Sequence, residues 1–229
     1  MDILSLKNFD ISPVLISLKL ALVVSVLLLI IGIPLAYVLC FKNFKYKSIL
    51  RTLITLPMVL PPTVIGFYYL IAFNKNSIVG NFLNDLGLEM VFSFHGLVLS
   101  SIIYSLPFMI QPLCNGFEKI SNQYLKLCKL YGKTNREIIF KVVLPSSKNT
   151  LLSAFILCFA HTMGEFGIVL MVGGNIPYKT RVTSTVVYEN VEILNYDQAH
   201  LYALLILILS FILIFGIYSF SQSKSLKWL

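Results

Sequence analysis

The sequence predicts an all-helical membrane protein with five membrane-spanning helices. Of its 229 residues, 57% are apolar and only 12% are charged, and the mean hydropathy is +0.84, whereas soluble domains carry about 25% charged residues. Five uncharged runs are long enough to cross the hydrocarbon core, which takes about 20 apolar residues as a helix. This composition excludes a disordered chain, a collagen, a disulfide scaffold and an ordinary soluble enzyme.

Each span is predicted from one uncharged run, and residues 1–229 form a single predicted membrane domain. The first run is too long for the roughly 7–15-residue apolar core of a signal peptide and has no A-x-A-like cleavage site, so we expect it to remain as a span. Prolines inside three of the runs predict kinks, which membrane helices tolerate because neighbouring groups bond the freed carbonyls. The predicted spans cover about residues 14–41, 51–73, 91–114, 148–172 and 199–222.

The distribution of basic residues predicts the orientation. If the loops alternate between the two sides, thirteen of the 18 lysines and arginines fall on one side and five on the other. Because cytoplasmic loops are enriched in Lys and Arg, we expect the N-terminus outside and the C-terminus inside the cell. The basic segment 118–146 between the third and fourth spans is then cytoplasmic.

Segment 118–146 is predicted to form two short helices outside the membrane. In residues 121–131, apolar side chains recur at the i, i+3, i+4, i+7 spacing of one helical face, at Tyr124, Leu127, Cys128 and Tyr131. Gly132 fits a C-terminal cap. Thr134 and Glu137 form a capping box that opens a second helix, which is expected to run to Leu144 before Pro145.

A short amphipathic helix outside the membrane needs something to cover its apolar face. Two interpretations are open from the residues alone. Either the bilayer surface or the protein's own helices cover the face, or a cytoplasmic partner docks on it.

The second half of this segment resembles a known motif. Gly132, nine further residues and then Val142, Leu144 and Pro145 are similar to the G-x9-I-x-L-P half of the EAA motif of bacterial ABC importer permeases. Where that family has Glu-Ala-Ala, this chain has Lys126-Leu-Cys. The resemblance implies a coupling helix that seats in a groove of a cytoplasmic ATPase subunit.

Two further stretches narrow the resemblance to molybdate-type permeases. They are residues 56–68 (LPMVLPPTVIGFY) and residues 159–168 (FAHTMGEFGI), the latter followed by GGNIP at 173–177 and KTR at 179–181. The resemblance implies the five-span bundle of a type I ABC importer permease in the plasma membrane of a prokaryote. Its implied partners are a second copy of the chain, two copies of the ATPase, an extracytoplasmic oxyanion-binding protein and membrane lipid. Sulfate or tungstate import by the same architecture is the first alternative, and an intramembrane subunit without a transport role is the second.

These two stretches also supply candidates for the gate or the substrate pathway. Glu165 is the only acidic residue well inside a predicted span, and intramembrane ionisable residues are functional by default. Its predicted local partner is His161, one turn earlier, and we expect it to be tied to Lys179 or Arg181 across the outer end of the route. Hydroxyls suit an oxyanion route better than fixed charges, which adds Ser100, Ser101, Ser153 and Thr162. The full candidate set is Pro61, Pro62, Thr63, Gly66, His161, Gly164, Glu165, Gly167, Asn175, Pro177 and Arg181.

No group of residues predicts catalysis, a metal site or a cofactor. The four cysteines stand singly, without a C-x-x-C pair. The sequence Gly132-Lys-Thr imitates the end of a phosphate-binding loop, but that motif needs glycine at position 127, which is Leu. We therefore expect a permease without a catalytic site or nucleic-acid partner, with ATP hydrolysed by a separate subunit.

Overall fold

The structure, a computed structural model, describes residues 9–120 and 122–222, and the regular structure of these residues is entirely helical. One short helix, Asn135–Ile138, continues through a π-helical turn, Ile139–Val143, into a last turn, Leu144–Ser146. The helices are α1 Ser12–Phe41, α2 Lys47–Val59, α3 Pro62–Phe73, α4 Ile78–Asp85, α5 Phe94–Phe117, α6 Asn122–Leu130, α7 Asn135–Ile138, α8 Lys148–Met163, α9 Gly167–Gly173, α10 Thr183–Glu192 and α11 Tyr196–Gln222.

By length and composition, the described residues hold five candidate membrane spans if each bent helix pair counts as one. Three helices are long and apolar enough alone: α1, α5 and the part Tyr196–Gly216 of α11. Two pairs qualify together, α2 with α3 and the stretch Asn135–Ser146 with α8. The predicted all-helical membrane fold is confirmed. The two chain ends, to which the predicted orientation refers, lie outside the described residues.

The second span is broken rather than kinked. The prediction of one helix over residues 51–73 is wrong, because α2 and α3 meet at an angle of 114°. Pro61 and Pro62 have no N–H, the Leu60 amide donates to the Leu56 carbonyl at 3.1 Å, and the Val64 amide donates to the Pro61 carbonyl at 2.9 Å. A break at two consecutive prolines therefore removes two amide donors that would otherwise need partners, which favours irregular backbone at this place in a membrane helix.

The fourth span is also interrupted. The prediction of one helix over residues 148–172 is wrong, because α8 ends at Met163 and α9 starts at Gly167. The chain closes α8 with a tight turn, in which the Gly164 amide donates to the His161 carbonyl at 3.0 Å. Glu165 thus lies in the break between two helices.

The core lies where α1, α5 and α8 pack on one another. Gly116 marks the closest approach of α5 and α8, since a Cβ there would overlap the side chain of Thr150. Small residues of this kind let membrane helices approach closely. Buried apolar side chains from the three helices include Leu20, Val24, Leu28, Leu97, Met109, Leu113, Ala154 and Cys158.

The second helices of the two broken spans, α3 and α9, lie side by side. A Cβ on Gly66 would lie 3.1 Å from Met171 Cβ, and a Cβ on Gly167 would lie 3.1 Å from Pro62 Cβ. Glycine at these two positions allows α3 and α9 to touch. The breaks in the second and fourth spans therefore meet at one place in the bundle.

Candidate transport and coupling sites

The two helix breaks open onto one cleft of about 520 Å³. It collects six of the predicted pathway residues, although about a hundred positions separate the two stretches in the chain. Aromatic and small side chains complete the wall. The lining residues are Pro62, Thr63, Tyr104, Ala160, His161, Gly164, Glu165, Phe166 and Gly167.

The Glu165 side chain is fully buried and bonded to α5. Its two carboxylate oxygens accept hydrogen bonds from Ser101 and Ser105, one each. Ser105 also lies 2.9 Å from the Thr162 hydroxyl, and the backbone carbonyl of Glu165 accepts from the Ser184 hydroxyl. Glu165 therefore joins the break after α8 to both α5 and α10.

The neighbouring serine on α5 behaves differently. Ser100 is equally buried, but its hydroxyl donates to the Leu97 carbonyl of its own helix at 3.1 Å, a common way for serine to satisfy itself in a helix. Ser100 therefore has no part in the Glu165 network, whereas Ser101 and Thr162 do, as neighbours of the carboxylate rather than as exposed pathway hydroxyls.

His161 lies beside the Glu165 carboxylate but is not one of its hydrogen-bond donors. Its Nε2 is 3.8 Å from Glu165 Oε1 and makes no hydrogen bond to any described residue. The ring stacks on Phe108 with centroids 3.7 Å apart and lies 5.1 Å from the ring of Tyr104. Aromatic packing, rather than an ion pair, thus holds the imidazole at the cleft wall.

The predicted tie between Glu165 and Lys179 or Arg181 is wrong. Arg181 pairs instead with Glu189 of α10 at 2.6 Å, and the Asn175 amide donates to the same carboxylate at 3.1 Å. Lys179 lies 3.8 Å from Glu89. The reason is access, because the Glu165 carboxylate is enclosed behind the α5 hydroxyls while Glu189 follows Arg181 by two helical turns on the same surface.

The remaining candidates are spread around the cleft. Pro61 is the exposed N-cap residue directly before α3, and Gly66 faces α9. Pro177 is exposed in the turn before α10, where Asn175 takes a positive φ of 52°. Asn175, Pro177 and Arg181 therefore form a separate surface group outside the lining of the cleft.

Sequence reasoning missed Ser105, Ser184 and Glu189. Ser101 and Ser105 are four residues apart and thus share one face of α5, so a pair of hydroxyls on an apolar helix was visible. The partner of these two hydroxyls, Glu165, lies 60 or more residues further along the chain and could not be identified from the sequence.

Segment 118–146, called the coupling segment below, exposes most of its predicted apolar face. Tyr124, Leu127 and Tyr131 are 54%, 51% and 83% exposed, whereas Leu125 is buried in the core and Cys128 is half-buried. Two corrections follow: Cys128 belongs to the anchoring side of α6, and the protein's own helices do not cover the other three side chains. Phe140, after α7, is also 68% exposed.

The turn between α6 and α7 has the predicted caps. Gly132 has a φ of +74°, its amide donates to the Lys129 carbonyl at 2.9 Å, and the Lys133 amide donates to the Cys128 carbonyl at 3.1 Å. This pair of bonds is a Schellman motif, which favours glycine at the left-handed position. The cap and the capping box that follows it are confirmed.

The capping box at the start of α7 involves Thr134 and Glu137. The backbone amide of Thr134 and the side chain of Lys141 donate to the Glu137 carboxylate and lower its pKa to about 2. The prediction of a continuous second helix to Leu144 is wrong, because residues 139–143 form a π-helical turn instead of an α-helix. Val143 is buried in this turn. Leu144 and Pro145 form the last turn before the 80° bend into α8.

No group of three or more His, Cys, Asp or Glu side chains within residues 9–120 and 122–222 is placed to hold a metal ion. Cys40, Cys114, Cys128 and Cys158 are free thiols. The described sites thus consist of a cleft and an exposed apolar surface.

The chain is similar in sequence to known transport permeases. The chain is 40% identical over 221 residues to the "Molybdenum transport system permease protein ModB" of Azotobacter vinelandii, covering 96% of this chain and 98% of that one. It is 29% identical to the "Sulfate transport system permease protein CysT" of Salmonella typhimurium, over 88% of this chain and 73% of that one.

The fold is that of solved importer permeases. A chain of the MetNI methionine ABC transporter in an inward-facing conformation superposes with a TM-score of 0.72 at 17% identity, covering 97% of this chain and 99% of that one. A chain of a bacterial alginate ABC transporter in complex with its periplasmic protein gives 0.69 at 18% identity, with 96% and 81% covered.

A family profile extends over most of the chain. It is described as "Binding-protein-dependent transport system inner membrane component" and matches residues 28–225. The chain therefore belongs to the family of inner-membrane components of binding-protein-dependent transport systems.

Proposed function

We propose that this chain is the permease subunit of an ATP-driven importer for molybdate, which takes the oxyanion from an extracytoplasmic binding protein. The observation that carries the proposal is the 40% identity to a molybdenum permease over almost the full length of both chains. Sulfate import is the second candidate, because sulfate permeases are also among the relatives at 29% identity.

The proposed partners follow from the two sites. Two ATPase subunits dock on two copies of the chain, each at the coupling surface formed by Tyr124, Leu127, Tyr131 and Phe140. Exposed apolar side chains rimmed by polar residues are typical of protein interfaces. The permease supplies no catalytic group, and ATP is hydrolysed by the partner.

The cleft at the two breaks is the proposed gate. Glu165 fastens the break after α8 to α5, and the buried carboxylate is satisfied by hydroxyls rather than by cations. Opening the gate separates these groups, and a buried polar group left without its partner costs about 1–3 kcal/mol. In the proposal, docking of the loaded binding protein and ATP binding supply this free energy.

The substrate is tested with the cognate binding protein and with reconstituted transporter. We expect the binding protein to prefer molybdate to sulfate by about a hundredfold, equivalent to about 2.8 kcal/mol, and sulfate to compete poorly for uptake into proteoliposomes. Equal competition by sulfate would identify a general oxyanion importer and reject the molybdate assignment.

The orientation is tested by thiol labelling in a variant whose four native cysteines are replaced by serine. With the N-terminus outside, Lys179→Cys should react with a membrane-impermeant maleimide in intact cells. Lys133→Cys should react only after lysis, because positive loop charge places the coupling segment inside. Labelling of position 133 from outside contradicts this orientation.

The coupling role is tested at Gly132. Valine there must take a left-handed conformation, which costs roughly 1–2 kcal/mol, and we expect loss of ATPase binding and of most binding-protein-stimulated ATP hydrolysis. Gly87→Val is the matched control, since Gly87 has a φ of +76° and, like Gly132, open space around its Cβ position. If both variants retain stimulation, the segment is not the coupling element.

The gate role is tested at the α5 hydroxyls. Ser101→Ala or Ser105→Ala removes one donor to the Glu165 carboxylate, and we expect basal ATP hydrolysis to rise up to about tenfold, the effect of about 1.4 kcal/mol on the gate equilibrium, with weaker stimulation by the binding protein. Ser100→Ala, whose hydroxyl bonds only within its own helix, should leave both rates unchanged. Arg181→Gln should not reproduce the defect. Equal behaviour of the three serine variants would reject the gate.

A further inference from the structure

The elbow between α1 and α2, residues 42–47, carries three lysines without acidic partners. Lys42, Lys45 and Lys47 form no ion pair with any carboxylate of the described residues. Arg51, one turn further along α2, is paired with Glu118 at 3.2 Å. The elbow therefore presents a net positive charge that no carboxylate within residues 9–120 and 122–222 pairs with, while the neighbouring Arg51 is paired.

Lys45 and Lys47 also oppose the dipole of the helix that follows them, whereas Lys42 caps the C-terminal end of α1, where a cation is favourable. Helix α2 starts at Lys47 and has no acidic residue in its first turn. The N-terminal end of a helix carries partial positive charge, so cations there are unfavourable. An external anion would relieve both the charge of the elbow and its conflict with the dipole.

Helix α2 has an inner and an outer face. On the inner face, Ile54 is buried against Leu39 and Ile110. On the outer face, Ile49 and Leu53 are 57% and 58% exposed. Leu56, three residues after Leu53, is 41% exposed, and residues three and four apart share one helix face, so an apolar stripe runs from the lysines along α2.

The packing of α2 on α5 places the elbow at the edge of the apolar core. Arg51 meets Glu118, and Met58 accepts from the Gln111 side chain at 3.2 Å, so the two helices run antiparallel. The elbow precedes Arg51 and therefore lies beyond the C-terminal end of α5. Phe44 and Tyr46 in the elbow are 37% and 62% exposed, as expected of aromatic residues at a membrane interface.

We infer that the elbow and the outer stripe of α2 form a binding surface for anionic phospholipids of the cytoplasmic leaflet. The lysines pair with headgroup phosphates, and Ile49 and Leu53 contact the acyl chains. Juxtamembrane lysines are attracted to anionic leaflets in this way. An acidic face of the ATPase subunit would also attract the lysines, but a soluble subunit cannot cover a stripe that continues into the second span.

The assignment of this surface to the cytoplasmic leaflet depends on the orientation given under the proposed function, whereas the lipid binding itself does not. The experiment therefore measures lipid binding to purified permease in detergent, by native mass spectrometry with phosphatidylglycerol and with phosphatidylcholine. Its result is independent of transport and of sidedness, so failure here leaves the proposed function standing.

The test variant carries Lys42→Gln, Lys45→Gln and Lys47→Gln. We expect its affinity for phosphatidylglycerol to fall by at least about tenfold, with binding of phosphatidylcholine unchanged. The matched control carries Lys119→Gln, Lys126→Gln and Lys129→Gln, three exposed lysines with the same total charge, and should change by less than about twofold. Single Lys45→Gln should give a smaller loss and covers the case in which the triple variant does not fold.

Three outcomes overturn the inference. The elbow variant could bind phosphatidylglycerol like the wild type. The control variant could lose as much affinity as the elbow variant, which would indicate a general effect of charge. The elbow variant could retain lipid binding but lose association with the ATPase, which would make the elbow a protein contact.

Discussion

The structure depends on the buried carboxylate of Glu165 and the two α5 hydroxyls that donate to it. Two spans of this bundle are broken at the same place, and a membrane tolerates broken helices only where their polar groups are satisfied inside the protein. At the first break, two consecutive prolines contribute no amide donors. At the second, a tight turn, Ser184 and the α5 hydroxyls bond the backbone and side chain of residues 164–165. The cleft exists because the two helix breaks lie next to each other.

One rigid element connects the cleft with the coupling surface. Helix α8 has 16 residues, so it is about 24 Å long. It starts at the 80° bend after the last turn of the coupling segment and ends at Met163, two residues before Glu165. In the proposed mechanism, the ATPase displaces the coupling segment, and α8 moves with it as a rigid body. This movement strains the hydrogen bonds between Glu165 and α5. The π-helical turn between α7 and α8 is a suitable place for bending in this mechanism, since such turns are frequent at functional sites.

The two exposed regions on the predicted cytoplasmic side differ in chemistry. The coupling surface consists of tyrosine, leucine and phenylalanine side chains on elements anchored by Leu125 and Ile138, which suits a shaped protein groove. The elbow before α2 combines unpaired lysines with an apolar stripe that leads into a span, which suits lipid. In the two proposals, the coupling surface therefore binds a protein, whereas the elbow binds lipid headgroups.

Local information determined the parts of the structure that depend on neighbouring residues. The apolar runs predicted the helical membrane fold, Gly132 predicted the left-handed cap, and Thr134 with Glu137 predicted the capping box, because each depends on residues within one or two turns. The proline pair predicted a kink at the first break, whereas the break at Glu165 was not predicted from the sequence. What only the tertiary structure decided were the partners of charged and polar side chains. Glu165 bonds to serines about 60 residues earlier, Arg181 pairs with Glu189, and Cys128 turns inward while Tyr131 turns outward. Within a bundle, the rotation of each helix about its axis sets these choices, and that rotation follows from packing against all the other helices at once.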